Sequence, residues 1–209
     1  MGCSASKDAQ EVLKLDDGKT TAVSSALTKP EDVENFPVFP DGTKSLLSKV
    51  LTKQIWFSLK DKKDKYNFTF REAIFSGCKN TDSGIGCYAG SHDSYKVFAP
   101  FFDRIIEEYH KHGKDAKHVS DMDASKLNAP PFSEEDAAMI VSTRIRVGRN
   151  LADFPLGPAL TKEQRLTVMN TVVKALNTFE GDLKGTFYPL EGMDKDTQNQ
   201  LIADHFLFK

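Results

Sequence analysis

The stretch DSYKVFAPFFDRIIEEYHKHG, Asp93 to Gly113, places Val97, Phe98, Phe101, Phe102, Ile105, Ile106 and Tyr109 at steps of one and three. That spacing gathers them into one stripe of an α-helix and leaves the charged residues on the other side. Pro100 lacks an amide for the helical ladder and must kink or split the element, and Gly113 is expected to end it. His110 and His112, two apart near the C-terminus, read as surface residues that complement the helix dipole rather than as metal ligands. A helix this one-sided needs an apolar layer to lie on.

That layer is visible towards the N-terminus. From Ser45, SLLSKVLT carries Leu46, Leu47, Val50 and Leu51 at helical spacing, and TKQIWFSL continues with Ile55, Trp56 and Leu59. The mixed-sign run KDKKDK, residues 60–65, reads as a wet connector. TFRE then forms a capping box, Thr69 with Glu72, opening a helix expected to stop near Gly77. Between this helix and the aromatic one lies TDSGIGCYAG, Thr81 to Gly90. Its glycines would let backbone amides converge on an anion, or they simply make a flexible turn; the strand and βαβ context of a dinucleotide site is missing. Residues 1–38, rich in Ser, Thr, Asp and Lys, read as a flexible arm.

Beyond NAPPFSEED, a proline-rich connector at 128–136, the texture changes. VSTRIRVGRN, Val141 to Asn150, alternates like a strand: Val141, Thr143, Ile145 and Val147 to one face, Ser142, Arg144 and Arg146 to the other. A row of guanidiniums is either a solvated outer face or a seat for phosphate oxygens, which arginine's planar fork matches bidentately. The pattern leaves both open. TKEQ at Thr161 is a second capping box, followed by Leu166, Met169, Val172, Val173 and Leu176 at helical spacing. GTFYPL reads as a strand, a short helix begins near Asp194, and HFLFK ends the sequence as a strand pattern without a partner. A sheet begun and not finished leads us to expect a second domain cut short.

The composition, 39% hydrophobic and 28% charged over 209 residues, is that of an ordinary globular protein. A net charge of −2 argues against a general nucleic-acid binder. Three cysteines, Cys3, Cys78 and Cys87, lack metal-ligand spacing and fit a reducing compartment. No apolar run approaches the roughly 18 residues of a membrane span. MGCSASK fits an N-myristoylation signal with Gly2 as acceptor, and the adjacent Cys3 is placed to take a palmitate. Two acyl chains would hold the protein stably at the cytosolic face of a membrane, where one would do so only marginally.

STRIRVGRN, GDLKGTFYPLEGMDKDTQNQLIADHFLFK, DSGIGCYAGSHDSYKVF and FFDRIIEEYH together resemble the phosphagen (ATP:guanido) kinases, arginine kinase most closely, from about residue 40 onward. The resemblance implies an α+β protein. A small all-α N-terminal domain (39–127) would be followed by the start of an α/β domain (128–209) whose antiparallel sheet is flanked by helices. It implies reversible transfer of the ATP γ-phosphoryl to a guanidino nitrogen, with Mg²⁺ carried by the nucleotide. Carried over, Ser142, Thr143, Arg144, Ile145 and Arg146 would hold the ATP phosphates with His205 beside the nucleotide. Ser83, Gly84, Ile85, Gly86, Cys87 and Tyr88 would form the loop that selects the guanidine, and Asp82 would help close the two domains. GCYAG departs from the GIYAP usual in arginine kinases, so creatine, taurocyamine or a similar guanidine stays open as substrate. The catalytic glutamates, the reactive cysteine and the other ATP-binding arginines of the family would lie beyond Lys209, so this length is expected to be inactive. A lipid-anchored, non-catalytic binding module is the alternative of a different class, and oligomeric state is not legible.

Overall fold

The computed structural model describes residues 17–127, 130–141, 143 and 145–208. Its contacts divide it into two compact units, one running to Leu160 and the other from Thr161.

In the first unit the helices start where side chains can satisfy orphan amides. Ser45 Oγ accepts from Ser48 N at 3.1 Å, opening α1 (Leu46–Val50), and Thr52 Oγ1 accepts from Ile55 N at 3.2 Å, opening α2 (Lys53–Leu59). The apolar run from Ser45 is therefore two helices, separated by the second cap. The Thr69–Glu72 box forms as predicted: Glu72 N donates to Thr69 Oγ1 at 3.2 Å and Thr69 N to Glu72 Oε2 at 2.6 Å. The helix it opens, α3 (Phe70–Lys79), runs past Gly77. Gly77 is a packing glycine and not a stop.

The aromatic stretch splits at Phe98 into α4 (Ser94–Val97) and α5 (Ala99–His110), with Pro100 in the first turn of α5, where its missing amide costs nothing. The end comes at Lys111, which takes the left-handed conformation (φ 59°), two residues before the expected Gly113. The stripe is the core. Phe70 packs on Phe98 and Phe101 with ring centroids 5.4 and 5.2 Å apart, the second pair edge to face, and Trp56, Phe70, Phe98 and Phe101 are all fully buried. Such pairs contribute about 0.5–1.5 kcal/mol each beyond area burial.

Three further expectations fail. The arm expected to be flexible through residue 38 is ordered from Thr20. Strand β1 (Thr20–Ala22) pairs in parallel with β2 (Phe36–Val38), Thr20 opposite Phe36. Val23, Leu27 and Val33 enter the core, and the Arg71 side chain donates to Val33 O at 3.0 Å. Three apolar residues spread over eleven positions have no period; only the tertiary partner gives them one face. Second, KDKKDK is not all wet, because Asp64 is 5% exposed. Third, the expected antiparallel sheet is absent among the described residues: β1 and β2 are the strands present, and they are parallel. Val141, Ile145 and Val147 are 97%, 90% and 84% exposed. Period-two alternation specifies a face, but a strand exists only when its backbone groups find a partner. GTFYPL and the described part of HFLFK likewise form no strand.

By contacts the two units part at Leu160/Thr161. Residues beyond 150 return to the first unit: Leu156 N donates to Gly90 O at 2.7 Å, and Leu156 and Ala159 pack on its core.

After a short helix of the first unit, α6 (Glu134–Ala138), comes the second unit. It consists of α7 (Lys162–Leu176), opened by the predicted Thr161–Gln164 box, and α8 (Lys195–Ala203), capped by Asp194 Oδ1 accepting from Thr197 N at 2.8 Å. Leu176, Phe179, Phe187, Leu201 and Leu207 surround a cavity of about 290 Å³. No residue of α7 is buried.

Candidate functional site

The segment Ser83 to Tyr88 lies across the side of α3 and the start of α1. Its carbonyls face inward: Gly84 O accepts from Leu46 N at 2.9 Å, Ile85 O from Leu47 N at 3.0 Å, and Gly86 O from Gly77 N at 3.1 Å. Tyr88 N donates to Ala73 O at 2.8 Å. The loop therefore satisfies two of the orphan donors at the α1 N-terminus. Its own amides at Gly84, Ile85, Gly86 and Cys87 have no acceptor among the described residues. Gly86 sits at φ +84°, and a Cβ on Gly77 would come within 2.6 Å of its Cα. Both glycines are needed for backbone to touch backbone here.

Around this loop the side chains are apolar and aromatic. Ile85 and Tyr88 are exposed and Cys87 is buried. A groove of about 380 Å³ runs beside the loop, lined by Ile85, Tyr88, Tyr95, Ile105, Tyr109 and Leu156 among others. Burial pushes the thiols of Cys87 and Cys78 up to about 12, so neither is a thiolate nucleophile near neutral pH.

Behind the loop lies a polar knot that the sequence reading missed. Asp64 Oδ2 accepts from Ser91 Oγ and Ser94 Oγ, both at 2.6 Å, and Oδ1 from the amides of Tyr66 (2.8 Å) and Phe68 (3.0 Å). Burial raises the carboxyl's pKa, but the two serine hydroxyls and two amides outweigh it and the net shift is downward. Ser94 Oγ in turn accepts from Gly90 N at 3.1 Å and Ser91 N at 3.0 Å. The Phe68 ring covers Gly90, where a Cβ would overlap it. Packing thus accounts for the glycine of GCYAG without reference to a substrate. In sequence Asp64 looked like one charge among six, and its serine partners lie 27 and 30 positions away, where no local pattern points to them.

Of the other expected site residues, Asp82, Thr143, Ile145 and Arg146 belong to the first unit. Asp82, just before the loop, is exposed. Thr143, Ile145 and Arg146 are exposed and form no strand among the described residues. His205 belongs to the second unit, exposed and at φ 62°, directly after α8. Ser142 and Arg144 of the arginine row, and Gly2 and Cys3 of the acylation signal, lie outside the described residues. Among the described residues no group of three or more His, Cys, Asp or Glu side chains could hold a metal ion.

Comparison with known proteins supplies the frame. The family described as ATP:guanido phosphotransferase, N-terminal domain, matches residues 41–107, and its C-terminal catalytic domain matches residues 167–209. An arginine kinase of Anthopleura japonica is 47% identical over 189 residues, covering 88% of this chain and 26% of that protein. The arginine kinase of Scylla serrata is 45% identical over 166 residues, covering 79% of this chain and 47% of its own length. Among solved structures, a lombricine kinase superposes with a TM-score of 0.71 at 32% identity over 88% of this chain and 49% of that one. The duplicated taurocyamine kinase of Schistosoma mansoni gives 0.64 at 31% identity, over 81% of this chain and 24% of that one. The chain thus spans between about a quarter and a half of the relatives it matches. The two family matches take in more than half of its residues, in the family's own order, and the chain belongs to the ATP:guanido phosphotransferase family.

Proposed function

We propose that this chain serves reversible transfer of the ATP γ-phosphoryl to a guanidino nitrogen, with arginine as the guanidine. The observation that carries the reading is the loop at Ser83–Tyr88, whose carbonyls are consumed inward while the amides of Gly84 to Cys87 stay without acceptors. Backbone amides so presented suit the carboxylate of an amino-acid guanidine. Tyr88, 56% exposed beside them, would contact the substrate's stem. Ser142, Thr143, Arg144, Ile145 and Arg146 would take the nucleotide phosphates, His205 would lie next to the nucleotide, and Asp82 would act in domain closure. Mg²⁺ arriving with ATP would neutralise phosphate charge. The protein's part is alignment and electrostatic clamping, because phosphoryl transfer has a loose transition state with its charge spread over equatorial oxygens. Alignment alone contributes about 7–11 kcal/mol in favourable cases.

The relatives act on different guanidines: arginine, lombricine and taurocyamine by their names. The deciding experiment is a panel of arginine, creatine, taurocyamine and lombricine, assayed with MgATP on the longest natural polypeptide that contains this sequence. Turnover with arginine above the others is expected, and turnover of another guanidine alone would replace it. Loss of all turnover with retained partner binding would favour the non-catalytic module.

We also propose that Gly2 and Cys3 are acylated, holding the protein at the cytosolic face of a membrane, on the strength of MGCSASK. Incorporation of a labelled myristate that Gly2→Ala abolishes is the expected result; no incorporation into the parent chain would end the idea.

A further inference from the structure

We infer that Asp64 is a positioning residue for the substrate loop, acting through Ser91 and Ser94. This rests on the reading of Ser83–Tyr88 as the guanidine-selecting loop.

The loop's entrance is held by α1 and α3, through Gly84 O, Ile85 O and Gly86 O. The loop's last residue also ends on α3, through Tyr88 N and Ala73 O, and beyond that bond the exit is held by something else. Past Tyr88 the chain turns at Ala89–Ser94, and two amides of that turn, Gly90 N and Ser91 N, end on the Ser94 hydroxyl. A hydroxyl that accepts two bonds keeps one proton to donate, and Ser94 gives it to Asp64 Oδ2 at 2.6 Å. Ser91 does the same from the other side: its Oγ accepts from Asp93 N at 3.1 Å and donates to Asp64 Oδ2 at 2.6 Å. The carboxylate also gathers the 64–68 turn through the amides of Tyr66 and Phe68, and the Phe68 ring then closes on Gly90. One buried side chain, 27 positions before Ser91, therefore fixes the floor on which the loop's exit lies.

The arrangement demands an acceptor-only group. All four partners of Asp64 donate, two O–H and two N–H. An amide in its place turns a donor towards donors in either orientation, so Asp64→Asn changes little in volume and breaks the knot on one side. Ser94→Ala is the gentler cut. It leaves the carboxylate and its other three donors, and strands the amides of Gly90 and Ser91.

The test is amide exchange and arginine binding on the full chain with Asp64→Asn and Ser94→Ala. Exchange at Tyr88, Gly90 and Ser91 is expected to rise at least tenfold more than at Phe102 and Ile105 of α5, the scale of one buried donor left unsatisfied. L-Arginine should bind at least tenfold more weakly. Uniform acceleration across loop and α5, or none, would mean that Asp64 stabilises the fold without positioning the loop. Unchanged arginine affinity in a variant whose loop amides have loosened would overturn the inference equally. If Asp64→Asn does not fold, Ser94→Ala decides alone. If the parent chain binds no arginine, the functional reading of the loop fails, and the exchange pattern still decides what Asp64 holds.

Discussion

Asp64 shows how far one side chain's environment can depart from its sequence neighbourhood. Its carboxyl titrates below the ordinary value in the folded chain, so it binds a proton more weakly folded than unfolded. The stabilisation it provides is then fully present above the unfolded value, about pH 4, and is lost as pH falls through the folded one. Urea midpoints measured for the parent and Asp64→Asn should differ most at neutral pH and converge on acidification; a constant difference would show that the charge is not what matters. The two buried thiols make a second residue-scale case. With both pushed up to about 12, Cys78 and Cys87 in a Cys3→Ser background should ignore a thiol reagent at pH 8 and react only on unfolding. Fast native labelling of either would contradict their burial. In the polypeptide that turns over, Arg144→Ala should cut ATP-supported rate at least tenfold, the scale of a lost charged contact. Normal turnover would return the arginine row to a merely solvated face.

Helix α3 is where a local rule and a tertiary contact disagree. Glycine inside a helix usually costs about 0.5–1 kcal/mol relative to alanine, so Gly→Ala there usually stabilises. At Gly77 the added Cβ would press on the backbone of Gly86, which has no flexible end to move aside. Gly77→Ala should therefore destabilise, by about 1–3 kcal/mol in denaturant titration, and lower arginine affinity with it. A gain in stability would mean that the loop can lift off the helix freely. The capping boxes at Thr69 and Thr161 behave oppositely: both formed as read, because every group involved lies within three residues along the chain.

At the scale of the whole molecule the contrast is between a closed core and exposed chain. The first unit buries Trp56, Phe70, Phe98 and Phe101 completely, whereas the described residues from Lys111 to Asp153 are all exposed. Exposed backbone without a ladder is where proteases cut. Brief trypsin treatment should cleave first after Lys114, Lys117, Lys126, Arg146 or Arg149, and spare Lys53 to Arg104; mass spectrometry of the earliest fragments reads this directly. Early cuts within α2, α3 or α5 would refute the packing described. In the second unit Leu176, Phe187 and Tyr188 stay 41–47% exposed around their shared cavity.

What the sequence determined by itself was local. The starts of α3 and α7, a split brought on by Pro100, the apolar stripe of α5 and the family itself could all be read, because caps, prolines, helical periods and motifs are written in contiguous residues. What only the tertiary structure decided was pairing. It ordered Val23, Leu27 and Val33 of the supposed arm, buried Asp64 from within a run of charges, seated Gly77 on Gly86, and left Val141 to Val147 without a strand partner among the described residues. The physical reason is the same in each case: burial, hydrogen-bond partners and strand formation depend on groups far away in the chain, and no short window of residues contains both halves of such a contact.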